Sequence, residues 1–141
     1  MSQDLSEFLP YRLFQAAEVT GRDFQKIYQG RYGMLRTEWR VLFHLGRSGD
    51  QTAKQICQRA MLHKTKVSRA VKALEAKRLL TRKTVEGDRR SEILSLTKQG
   101  QAALKDLTGI GAEYDQGLID ALGEEKYQAL LAALEILNRK A

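Results

Sequence analysis

Residues 54–78 read KQICQRAMLHKTKVSRAVKALEAKR. From Lys64 onward the apolar positions Val67, Ala70, Val71 and Leu74 recur at helical spacing, while Lys64, Thr65, Lys66, Ser68, Arg69 and Lys72 fill the remaining faces. This spacing predicts a helix with one packing face and one cationic face. Upstream, a shorter helix over about Thr52 to Arg59 offers Ala53, Ile56 and Cys57 to a core, and a turn follows near Ala60 to His63. Two short helices joined by a tight turn, the second opening with polar and basic residues, make a helix-turn-helix. Such a pair places its second helix in a DNA major groove.

Downstream of Leu79 and Leu80 the period changes. Thr81 to Val85 and Ser91 to Leu96 are rich in Thr, Val, Ile and Leu, and Glu86-Gly87-Asp88 lies between them, so a β-hairpin is expected. Arg89 and Arg90 would stand at its tip. Arginine there can enter the adjacent minor groove, where narrow A·T-rich stretches concentrate negative potential, and the hairpin would be a wing.

The flanks read as helices. Leu9, Leu13, Phe14, Ala17, Phe24, Ile27 and Tyr28 give an amphipathic helix over about Ser6 to Gln29, with Pro10 in its opening turn. Gly30 and Gly33 are expected to break it. Thr37 is the expected cap of a second helix that buries Trp39, Val41, Leu42 and Leu45 and ends at Gly46 and Gly49. Thr97 is the expected cap of a long helix to about Leu122, which Gly109, Gly111 and Gly117 weaken. A final helix covers about Glu124 to Arg139. The fold class is mainly α with a small β-wing: a winged helix-turn-helix lobe at about residues 37–97 in a single domain spanning 1–141. The helices at about 6–30 and 98–141 are left to pair with a second chain. Packing within one monomer is the other option, but two-fold pairing would set two recognition helices about 34 Å apart, matching a near-palindromic operator.

Charge follows the same division. The chain carries +7 overall, yet residues 54–90 hold twelve Lys/Arg against three Asp/Glu, and the two flanks together are slightly acidic. A local excess of this kind points to a polyanion partner. The longest apolar runs are too short to cross a bilayer, and the polar, acidic start does not resemble a secretory signal, so a cytoplasmic protein with no membrane partner is expected. The single cysteine, Cys57, has no internal disulfide partner. It reads as a small buried hydrophobe, with a redox role as the alternative.

Enzyme chemistry has little support. There is no glycine-rich phosphate loop, no metal-ligand cluster and no nucleophile with a base, so neither a catalytic residue nor a cofactor or metal is assigned. His44 and His63 are too far apart and too isolated for a zinc site. His44 is expected to pack beside the second helix and His63 to cap the recognition helix. Trp39, Phe14, Phe24, Tyr28 and Tyr32 read as core, or else as the lining of an effector cavity.

The order of elements resembles the multiple-antibiotic-resistance regulator (MarR) family of winged-helix regulators. Asp88-Arg89-Arg90, then Thr97 and Gly100, is similar to that family's signature across the wing and the next helix. Leu74-Glu75, Leu79-Leu80 and the run Thr37 to Leu42 also fit. Arg78 departs from the pattern, which commonly has glycine there. The resemblance implies that Thr65, Lys66, Ser68 and Arg69, joined by Lys64, face the major groove. It also implies that Arg90 enters the minor groove with Asp88 orienting it, an ordinary turn residue being the alternative reading of Asp88. Lys72, Arg82, Lys83 and Arg89 are assigned to phosphates, where they position the protein without reading sequence. The expected function is a homodimeric regulator of double-stranded DNA, most simply a repressor, released by a small-molecule effector of unknown identity. The alternative is a winged-helix protein-interaction module with no specific DNA target.

Overall fold

The computed structural model describes residues 4–85 and 88–139, with side chains for all of these except 85 and 88–91. Six α-helices and a three-stranded antiparallel sheet follow one another as α1 (Leu9–Tyr32), α2 (Arg36–Ser48), β1 (Gln51–Thr52), α3 (Ala53–Ala60), α4 (Lys64–Ala76), β2 (Leu80–Val85), β3 (Asp88–Leu96), α5 (Lys98–Leu122) and α6 (Glu124–Arg139). Contacts divide the chain into two compact units, Met1–Lys105 and Asp106–Ala141.

In the first unit α1 carries Pro10 in its opening turn and runs through Gly30 without interruption. It ends at Gly33, whose φ of 63° lets its N–H and that of Met34 reach back to the Gln29 and Tyr28 carbonyls. Only two residues then separate that cap from α2, so α2 begins earlier than expected. Leu35, with extended backbone and no side-chain cap, takes the cap position, and Thr37 falls inside the first turn. Gly46 is likewise inside α2. The helix stops at Gly49, whose φ of 75° with ψ −164° is a conformation open essentially to glycine.

Thr52 opens α3 with a reciprocal capping box: its hydroxyl accepts from the Gln55 N–H, and the Gln55 side chain accepts from the Thr52 N–H. Ile56 and Ala60 face the core, but Ala53 is exposed and Cys57 only half-buried. The core of the unit joins Val41, Leu42 and Leu45 of α2, Ile56 of α3 and Val67, Val71 and Leu74 of α4 to Leu80 and Leu94 of the sheet. Each such side chain contributes about 1.5–3 kcal/mol on removal from water.

The sheet order is β1-β3-β2. The β2–β3 ladder pairs Arg82 with Leu94, Lys83 with Ile93 and Thr84 with Glu92. β1 is an element the sequence did not announce: Gln51 and Thr52 pair with Leu94 and Ile93 and so tie the wing to the start of α3. Gln51 is fully buried. Its amide donates to the His44 and Gly49 carbonyls at 2.8 and 3.0 Å and accepts from Arg59 at 2.6 Å, so no polar atom is stranded.

Lys77 caps the end of α4, and Arg78 then adopts φ 62°. This is the left-handed position that follows many helices and suits glycine, because a Cβ crowds the neighbouring carbonyl. Arg78→Gly should therefore stabilise the fold by about 1 kcal/mol, read as a rise in the denaturant midpoint. A lower midpoint would contradict this account of the turn.

The second unit contains the remainder of α5, which continues through Gly109, Gly111 and Gly117, and α6 after Gly123 (φ 86°). Inside it the Tyr127 hydroxyl donates to Asp115 at 2.5 Å.

Candidate nucleic-acid interface

The site is built on α4. Val67, Ala70, Val71 and Leu74 are buried, and this leaves Lys64, Thr65, Lys66, Ser68, Arg69 and Lys72 exposed on the other side of the same helix. The period of the sequence is thus realised as a fixed platform, because rotating the helix would expose four core side chains. Two contacts hold its ends, and a third holds the end of α3 before it. His63 caps the first turn, its Nδ1 accepting from the Thr65 N–H at 3.3 Å. Arg40 of α2 donates to the Ala60 carbonyl at the end of α3. Lys77, just past α4, donates to Glu38 at 2.5 Å; the Glu38 side chain is only 5% exposed, so this pair is shielded and locks α2 to the end of α4.

The wing stands beside this platform. Side chains alternate along a strand, so Arg82 lies on the face that also carries the buried Leu94, and Lys83 lies on the opposite face. Lys83 is exposed, as a phosphate contact requires. Arg82 differs. Its guanidinium sits between two carboxylates, Nε 3.2 Å from Glu75 of α4 and Nη1 3.6 Å from Glu92 of β3. The backbone of Asp88, Arg89 and Arg90 belongs to β3, while their side chains, and all of Glu86 and Gly87, lie outside what the structure describes.

At the other end of the wing, Thr97 joins three elements. Its hydroxyl donates to the Arg78 carbonyl at 2.7 Å and accepts from the Gly100 N–H at 3.0 Å, and its own N–H reaches the Leu79 carbonyl at 3.1 Å. Thr97 therefore caps α5 while fixing the turn after α4. Gly100 lies so close to Leu79 that a Cβ there would fall 2.0 Å from the Leu79 carbonyl oxygen.

Of the aromatic residues, Phe24, Tyr28, Trp39 and Phe43 form one ladder, with ring centroids 5.2 Å apart for Phe24–Trp39, 6.0 Å for Tyr28–Trp39 and 5.6 Å for Trp39–Phe43. Tyr28 is buried and the other three are half-exposed. Phe43 was not anticipated, and Phe14, 61% exposed, stands outside the ladder. His44 adjoins Phe43, and burial, then the charges of Arg40, Arg47 and Arg59, push its pKa down. Among the described residues no His, Cys, Asp or Glu cluster could hold a metal, and no helix is long and apolar enough to cross a membrane.

Residues 32–91 match the model of the MarR family. Over 140 residues the chain is 26% identical to the HTH-type transcriptional regulator TcaR of Staphylococcus aureus, a match covering 98% of this chain and 91% of TcaR. Among solved structures, the transcriptional repressor CouR bound to a 23-mer DNA duplex superposes with a TM-score of 0.83 at 25% identity, over 98% of this chain and 99% of CouR. NMB1585, a MarR family regulator from Neisseria meningitidis, superposes with a TM-score of 0.71 at 28% identity, over 97% of this chain and 93% of its own. These relatives are regulators, not enzymes.

Proposed function

We propose that the chain is a winged-helix transcriptional regulator of the MarR family, which binds a near-palindromic operator as a homodimer and represses transcription in the cytoplasm. The observation that carries this reading is the exposed row Lys64, Thr65, Lys66, Ser68 and Arg69 on a helix whose other face is fully packed. A rigid helix with polar and cationic side chains at its N-terminal end suits insertion into a major groove. CouR, of the same fold, is a repressor bound to DNA.

Pairing has its own support. In the first unit Leu5, Leu9 and Phe14 are 72%, 54% and 61% exposed, and in the second unit α6 exposes Leu130, Leu131 and Ile136. Apolar side chains in such rows call for a cover, and a two-fold copy of the same chain supplies one. The half-exposed aromatic ladder suits a flat, apolar effector. Such a ligand would release the operator only by binding the free state more tightly than the bound one.

Sequencing the genomic fragments retained by the purified protein tests this function. The expected result is a small set sharing one near-palindrome; retention without a shared sequence would favour a protein-interaction module. Two variants separate the roles of the wing. Lys83→Ala should lower affinity evenly for all duplexes and reduce the salt slope by about 1. Arg90→Ala should cost about 1–3 kcal/mol on the operator and relax the preference for flanking A·T pairs. Salt titrations identical to the parent would remove Lys83 from the contact set, and an unchanged operator titration would remove Arg90.

A further inference from the structure

With α4 in a major groove and the wing tip in the adjacent minor groove, the sugar-phosphate strand between them must cross the cleft that separates α4 from the wing. That cleft encloses about 400 Å³, has Val71 and Leu94 in its floor, and carries Lys54, Lys64, Arg82 and Glu92 among its walls. Its cations are not equivalent. Among the described residues Lys54, Lys64, Lys66, Arg69, Lys72 and Lys83 make no ion pair, whereas Arg82 is bracketed by Glu75 and Glu92 at 3.2 and 3.6 Å.

The two carboxylates have no evident structural duty. Both side chains are close to half-exposed, and Glu75 lies in the last turn of α4, where a negative charge opposes the helix dipole. Both also stand where a polyanion is to be held. Their clear effect is on Arg82, whose charge they offset.

We propose that Glu75 and Glu92 determine specificity by guarding Arg82, which exchanges from these carboxylates to the DNA backbone only when α4 is fully seated on its operator. The proposal rests on the operator-binding reading. Sequence-independent binding is an electrostatic gain that grows with each phosphate neutralised, so withholding one cation from loosely docked complexes weakens them selectively. In the seated complex a phosphate lies in the cleft and replaces the carboxylates. The ion pairs are partly exposed and worth little in themselves, so this exchange is within reach of a single phosphate contact.

Salt titrations of operator and random duplex with the full chain test it. In Glu75→Gln/Glu92→Gln, the salt slope on random duplex should steepen by about 1, with affinity rising about three- to tenfold, while the operator slope stays at the parent value. Adding Arg82→Gln to that background should abolish the gain. Arg82→Gln alone should flatten the operator slope by about 1 and leave random duplex unchanged, and Arg82→Lys should retain part of the operator slope. If the glutamine pair shifts both duplexes equally, or its gain survives without Arg82, the guard is overturned and simple loss of negative charge accounts for the effect. A parent that binds both duplexes equally overturns the operator-binding reading instead.

Discussion

Gly100→Ala should destabilise the protein by about 3 kcal/mol, lowering its melting temperature by about 10 °C. The added methyl would fall 2.0 Å from the Leu79 carbonyl oxygen and 3.0 Å from its carbon, and these are backbone atoms that no rotamer change can move. Relief requires shifting the start of α5. That shift breaks the two hydrogen bonds by which Thr97 holds the turn after α4, to Leu79 and to Arg78. Alanine is otherwise the better helix former by about 1 kcal/mol, so a stabilised variant would mean that the close approach is absent. Gly46→Ala provides the contrast. There the Cβ meets only the Leu104 side chain, which can turn aside, so the cost should be smaller although the first approach, 1.8 Å, is as short. Equilibrium denaturation of both variants checks the order, and equal losses would contradict it.

Replacing Lys66 and Arg69 together by alanine should weaken operator binding by about 4 kcal/mol, near a thousandfold, and leave folding within about 0.5 kcal/mol of the parent. Both side chains are exposed and, among the described residues, make no ion pair, so no native ion pair is lost and little buried surface is removed. A good contact to a base edge is worth about 1–3 kcal/mol. Random duplex should lose much less, since only the electrostatic part is removed. An equal loss on both duplexes would show that these residues grip phosphates and that α4 does not read bases.

The recognition helix was legible in the sequence because its burial is periodic. Val67, Ala70, Val71 and Leu74 alone set its orientation, and the exposed set follows from what they leave over. α6 matched its expected bounds, and Thr97 and His63 cap as their residue types suggest. Three features were hidden for distinct reasons. β1 is two residues long, too short for any alternation to register. The start of α2 is set by the Gly33 cap two residues earlier, which outweighs the local preference of Thr37. The pairings Lys77–Glu38 and Arg82–Glu75 join residues that only the folded chain brings together, so from sequence Arg82 looked like any other cation of the basic segment. The acidic partners also explain why a charge count overstates the field of that segment.

Arg78 illustrates a departure with a physical reading. The resemblance to the family expects glycine at its position, and the backbone there is indeed left-handed, φ 62°. The conformation is kept although its usual residue is not, because the Arg78 carbonyl accepts from Thr97 and its N–H donates to the Glu75 backbone carbonyl.

The most direct test of sequence-specific recognition by α4 and the wing is the affinity of the full chain for its selected operator relative to random duplex of equal length, measured across a range of salt. The account predicts an operator preference of about a thousandfold or more that persists as salt weakens both complexes. Equal affinities, falling together as salt rises, would contradict it.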